Sequence, residues 1–208
     1  MDIHKPKPIH SWREFGVELA TIVMGVLIAL SAEALVEHHR TERKVAFSRA
    51  DFIDELAHNR DDVARNLNEA EALQTQVTAI LGEGADFVRG KGKMSGDHQV
   101  GRGFVSLKSA AWSAALSTQV MGAFPHDEGR LVAKAYSEQE SFVELQRAEQ
   151  AVWFQLAENS YVDAPTKPEV AKALQHLTVA TAYLRAHEES ERGLLKTYDA
   201  ALARLRRG

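Results

Sequence analysis

Hydrophobic and polar residues follow two regimes along this chain. From Leu19 to Ala32 the sequence LATIVMGVLIALSA runs fourteen residues without a charge. Beyond about Thr41, apolar positions recur every three, four and seven residues, the spacing of one helical face. The first regime predicts a membrane-crossing helix. A hydrocarbon core of about 30 Å takes roughly 20 helical residues. The uncharged run falls short of that, but Phe15 to Val36 counts 22. Glu18 and Glu33 stand 15 residues apart, near the two edges, where an ionisable group costs less than at the centre. Trp12 and Arg13 occupy the expected interfacial position. Two other readings fit a run of this length. One is a signal-peptide core, with Ala32-Glu33-Ala34 as an A-x-A-like cleavage site. The other is a buried core helix. Glu14 and Glu18 are out of keeping with a signal peptide, which favours the anchor.

The second regime predicts a helical bundle. Neither proline nor glycine interrupts the chain from Thr41 to Leu81. Val45, Phe52, Leu56, Val63, Ala70, Leu73, Val77 and Ile80 form the stripe of a long amphipathic helix. Asn59 and Asn66 fall on the same seam, where asparagine fixes register at some cost in stability or marks a wet edge. Residues 82–103 hold seven of the thirteen glycines and are expected to be a mobile connector. Leu107, Trp112, Leu116 and Val120 outline a short helix, with Trp112 as a core anchor. Pro125 followed by Asp127 and Glu128 signals a helix start. The stripe behind it is Leu131, Ala135, Phe142, Leu145, Val152 and Leu156, and the stop is expected near Asn159, before Pro165 and Pro168.

A last helix starts near Pro168. Its seam is Val170, Leu174, Leu177, Thr181, Leu184, Glu188, Glu191, Leu195, Tyr198, Leu202 and Leu205. Alternation of fours and threes suits packing at a shallow angle. The cationic end, Arg204 to Arg207, suits the negative end of a helix dipole. The expected fold class is all-α: one N-terminal transmembrane helix, then an elongated bundle of about three long helices and one short helix. The expected organisation is a polar tail at 1–13, a transmembrane helix at 14–36 and a bundle domain at 37–208, with the glycine-rich connector at 82–103. No second span follows residue 36.

The apolar helix also has sides. At 100° per residue, Glu14, Glu18, Thr21, Gly25, Ala29 and Ala32 fall on one narrow stripe. Small residues at four-residue spacing let helices approach closely in lipid, and carboxylates there favour protein over acyl chains. This stripe is the expected association face, although glycine and alanine are also simply common in membrane helices. The segment SWREFGVELATIVMGVLIALSAEALVE resembles the opening of an uncharacterised family of bacterial single-pass membrane proteins. The resemblance rests on Trp12, Arg13, Glu14, Phe15, Glu18 and the run Gly25 to Leu30, and on Glu55, Leu56 and Asn59 of an E-L-x-x-N-like start to the first soluble helix. It covers about the first third of the chain. It implies a single-pass inner-membrane protein with a helical soluble domain and implies no activity.

Composition narrows the chemistry. The chain has 208 residues, 45% hydrophobic and 26% charged, with a formal charge of −4. It can build a core, and it lacks the basic stripe of a nucleic-acid binder. Without cysteine, disulfides and thiolate metal sites are excluded. Glu55 and His58 form one E-x-x-H pair, whereas a di-iron bundle needs two. H-E-x-x-H and G-x-S-x-G are absent, as are the P-loop and dinucleotide fingerprints. The nine histidines are therefore expected to be solvated or interfacial. Glu188, Glu191, Glu138 and Glu149 interrupt apolar seams, as a polar layer, a small pocket or an edge that admits water. No catalytic residue, cofactor, metal or small-molecule substrate is expected.

These observations favour a non-catalytic membrane-anchored scaffold or accessory protein. Its expected partners are the membrane and either a second copy or another membrane protein. One alternative is an extracytoplasmic ligand-sensing helical module working with a partner. Another is a metal or carboxylate enzyme within the bundle. Lys5, Lys7 and Arg13 before the span nearly balance Arg40, Arg43, Lys44 and Arg49 after it. The soluble domain is expected to be periplasmic.

Overall fold

The computed structural model describes residues 12–93, 100–158 and 166–208, without the side chains of Glu14 and Glu158. Most of the polar tail, the middle of the glycine-rich connector and the expected helix stop at Asn159 lie outside the described residues. Among the described residues four α-helices follow in order: α1 Trp12–Val88, α2 Ala110–Ser117, α3 His126–Glu158 and α4 Lys167–Leu205. A short 3-10 turn, Val120–Ala123, precedes α3. No strand occurs among the described residues. The chain divides into two units, residues 1–47 and 48–208.

In the first unit, α1 holds the apolar run. Its most apolar stretch contains no buried residue and is long enough to cross a membrane.

In the second unit, three seams build the core. Phe52, Leu56, Asn59, Val63, Asn66, Ala70, Leu73 and Val77 line α1, and all are buried. The steps are four, three, four, three without a break. On α3 the same rhythm runs Glu128, Val132, Ala135, Gln139, Phe142, Gln146, Glu149, Trp153 and Leu156, with only Gln146 partly exposed. On α4 it runs Ala180, Leu184, His187, Glu191, Leu194, Tyr198, Ala201 and Leu205. The α4 seam expected from sequence is buried as well, at Val170, Leu177, Thr181, Leu184, Glu188, Glu191, Tyr198, Leu202 and Leu205, with Leu174 and Leu195 half-buried. Each fully buried Leu or Phe contributes about 1.5–3 kcal/mol. Phe142→Ala would open a cavity costing about 3–5 kcal/mol.

Helix ends follow local chemistry. The glycine-rich stretch does not begin the connector at residue 82, because α1 continues to Val88. Gly82 and Gly84 are helical, and at Gly84 the missing side chain matters: a Cβ there would come 2.7 Å from a Leu174 methyl. Gly90 stops the helix with φ +75°, and the Lys91 amide donates to Asp86 O at 2.9 Å, a glycine-terminated cap. At the start of α4, Glu169 accepts from the Thr166 amide and hydroxyl, both at 2.7 Å. In α2, Trp112 stacks on Tyr136 with centroids 5.2 Å apart. Phe52 and Phe124 extend this aromatic group. Leu116, expected to close the bundle, is exposed instead.

Candidate functional site

Several polar residues on the seams share one task. Residues 100–109 form no helix; they lie as a strap along the bundle, held by side-chain amides. Asn59 Nδ2 donates to Lys108 O at 2.8 Å, and the Lys108 amide donates back to Asn59 Oδ1 at 2.9 Å. Gln146 repeats this at Val105, accepting at 3.2 Å and donating at 2.9 Å. Gln139 Nε2 adds a bond to Lys108 O at 2.9 Å, and Tyr198 donates to Gln139 Oε1 at 2.6 Å. Asn66 reaches Gly103 O only at 3.3 Å, and its own Oδ1 has no hydrogen-bond partner. Beyond the strap, Glu55 accepts from the Ala111 amide at 3.0 Å and from Tyr136 at 2.6 Å. An extended segment carries unpaired backbone groups that must be satisfied, and here asparagine and glutamine do what a neighbouring strand would do.

Arg102 ties the strap to a buried ionic centre. Its side chain is 1% exposed, and Glu149, His187 and Glu191 are each 0% exposed. Arg102 Nε lies 3.4 Å from Glu149 and its terminal nitrogen 3.4 Å from Glu191. Arg102 also donates to Asn66 O at 3.3 Å and lies over the Phe104 ring. His187 Nδ1 stands 2.6 Å from Glu149 Oε2, yet neither atom has an aligned hydrogen-bond partner. The imidazole and the Phe142 ring pack edge to face, with centroids 4.5 Å apart. Trp153 Nε1 donates to Glu149 Oε1 at 3.0 Å.

Burial works to raise the Glu149 carboxyl, but His187, Trp153 and Arg102 together reverse this and leave it lowered. For Glu191 burial wins: the carboxyl is pushed up to about 7 against the pull of Arg102 and His187. Two carboxylates, each 3.4 Å from the same guanidinium, are thus shifted in opposite directions. Glu149 and Glu191, expected to interrupt the seams, do so as buried partners of Arg102, not at an edge that admits water. Glu138 pairs with Lys134 at 3.3 Å, and Glu188 lies 3.6 Å from Arg192.

The histidines divide. His38, His39 and His58 are exposed beside Glu42 and Asp62, while His4, His10 and His98 lie outside the described residues. His187 departs from the expectation of solvated histidines because its seam position places it between Leu184 and Glu191 in the core. Its signal in the sequence was the spacing 184, 187, 191, 194. Among the described residues, no group of three His, Asp or Glu could hold a metal ion.

A second buried charge closes the other end of the α3 seam. Glu128, 1% exposed, takes Arg49 at 2.9 Å and Arg204 at 2.7 Å. Arg204 also reaches Asp127 at 2.5 Å. The acidic first turn of α3 therefore serves as a counter-ion for α1 and α4 as well as a helix-start signal.

In the first unit, Glu18, Thr21, Gly25, Ala29 and Ala32 are exposed on α1, and a Cβ at Gly25 would meet nothing within 4 Å. The Glu14 side chain lies outside the described residues. Thr21 donates to Val17 O at 2.9 Å and Ser31 to Leu27 O at 2.7 Å. Both hydroxyls of the apolar run are satisfied within the helix, as a hydrocarbon environment requires. No protein-family model, curated protein or solved structure matches the chain.

Proposed function

We propose that this protein is a non-catalytic, membrane-anchored scaffold or accessory protein. In this reading α1 crosses the bacterial inner membrane through residues 15–36, and the helical domain stands on the periplasmic side. The supporting observation is an apolar helix whose side chains are uncovered throughout its most hydrophobic stretch, with both of its hydroxyls bonded to its own backbone. Leaving that surface in water would expose far more contiguous apolar area than a soluble monomer tolerates. The stripe of Glu14, Glu18, Thr21, Gly25, Ala29 and Ala32 is the proposed contact with a second copy or a partner membrane protein.

Carbonate extraction of membranes tests the anchor. The full chain is expected in the pellet at its uncleaved mass; release into the supernatant, or a mature form starting after Ala34, would refute it. A reporter fused after Gly208 is expected to be active only outside the cytoplasm. Cross-linking in membranes is expected to capture an assembly that Gly25→Leu weakens. A monomer indifferent to that change would remove the association face while leaving the anchor intact.

A further inference from the structure

We propose that Arg102, Glu149, His187 and Glu191 form a one-proton latch. The set holds one proton among its three titratable side chains, and losing that proton frees residues 100–109 from the bundle. Arg102 brings one positive charge and the two carboxylates two negative ones. The centre is neutral only when the imidazole or one carboxyl carries a proton. All three titratable side chains are 0% exposed, and an uncompensated charge at that depth is strongly unfavourable. The proton therefore belongs to the folded arrangement.

The surroundings supply no substitute for it. From the strap comes Arg102 alone, with the Phe104 ring beside it. From α1 come the Asn66 amide and, against Gly103, the exposed Glu69 carboxylate. From α3 come Glu149, Trp153 and Phe142. From α4 come His187, Glu191 and, one position from the imidazole, Glu188, which leans on Arg192. Among the described residues, Arg102 is the cation in contact with the buried carboxylates, whereas Glu69 and Glu188 add negative charge at the edge of the centre. Six polar atoms here lack an aligned hydrogen bond: Asn66 Oδ1, Arg102 Nε, Glu149 Oε2, both His187 nitrogens and Glu191 Oε2. The centre is assembled but not fully satisfied, the condition under which a buried network yields first.

The strap is the part that gives way. Three walls are continuous helix, whereas the fourth is extended chain whose Gly101 and Gly103 backbone already reaches solvent. Arg102 meets the two carboxylates at 3.4 Å each, longer than strong charge-assisted bonds. When the proton leaves, Glu149 and Glu191 repel, and the least costly relief is water entering where the strap lies. The sign agrees with Glu191, whose carboxyl is raised from 4.5 to about 7. Its contribution is complete below the ordinary carboxylate range and lost as pH rises through about 7.

Hydrogen exchange of the full chain in detergent micelles tests this at pH 5–8, with each rate divided by its intrinsic value. The Val105 and Lys108 amides, bonded to Gln146 and Asn59, report on the strap. Protection at Val105 is expected to fall as pH rises through the window, by up to about tenfold per pH unit, the effect of one proton. Amides in the middle of α4 are expected to keep theirs. Glu191→Gln, neutral at every pH, is expected to abolish the fall. Glu149→Gln removes the other carboxylate and serves the same purpose if the first variant does not fold. Protection at Val105 that ignores pH overturns the latch. So does a fall shared equally by α4, which would be global unfolding, or a fall that persists in a folded glutamine variant.

Discussion

Asn59 and Asn66 sit on the same seam of α1, are both buried and both face the strap, yet they should respond oppositely to Leu. At Asn59 the substitution removes bonds of 2.8 and 3.1 Å from its amide nitrogen and one of 2.9 Å to its oxygen. Lys108 O keeps Gln139, and Gln139 Oε1 keeps Tyr198, so the one orphan is the Lys108 N–H. Three net bonds at about 1 kcal/mol each, plus about 1 kcal/mol for the partly hydrated orphan, are offset by about 1 kcal/mol of regained apolar burial. The loss is about 3 kcal/mol, which for a unit of this size lowers Tm by roughly 6–12 °C. At Asn66 the substitution removes one long bond of 3.3 Å and with it a buried acceptor that has no partner. Removing an unsatisfied polar group offsets the lost bond, so Asn66→Leu should fall within about 0.5 kcal/mol of the parent. Urea titration of the full chain in mild detergent, followed by tryptophan fluorescence, measures both. Equal losses, or a larger loss at Asn66, would refute the reasoning that partner geometry, rather than burial, sets the value of a seam asparagine.

Glu128→Ala should destabilise by about 2 kcal/mol, below the roughly 3–5 kcal/mol of a fully buried broken pair, because Arg49 and Arg204 are 20% and 30% exposed and can turn to water; the same urea titration measures it. Glu149 is lowered in the folded protein, so its contribution is present above the ordinary carboxylate pKa and lost as pH falls through the depressed value. Thermal melts from pH 5 down to pH 2 should show that loss, and Glu149→Gln should flatten it. Thr21→Val and Ser31→Ala should leave membrane association unchanged in carbonate extraction, since each hydroxyl bonds only its own helix. A variant found in the supernatant would show that one of these hydroxyls serves a contact outside the helix.

The helices were legible because burial imposes a period. The α1 stripe from Phe52 to Val77, with both asparagines, is buried as the spacing implies. The α3 start behind Pro125 and the α4 start around Pro168 follow from proline's fixed φ and lost donor. The strap was not legible, because an extended segment read through its backbone leaves no period. Glycine content at residues 82–103 signalled flexibility, yet part of that stretch is helix and part is pinned. Arg102 could not be assigned because its partners lie far along the chain, at Glu149 and Glu191, and a local pattern holds no information about a contact made only after folding. His187 was nearer to reach. Its step from Leu184 and to Glu191 is the seam's own, and composition-based expectations for histidine obscured it.

The strap is gripped by its peptide groups at Val105 and Lys108, so the side chains at those two positions carry little of the fold's information. Their substitution should be nearly free, while Asn59 and Gln146, far away in the chain, carry the constraint alone. Relatives of this protein would then drift at residues 105 and 108 while keeping the amides that hold them, whereas Phe104 and Arg102, which pack against the core and its carboxylates, would be kept. A search that weights residues 105 and 108 would miss them, whereas one that asks for Asn59, Gln146 and an arginine at 102 would find them.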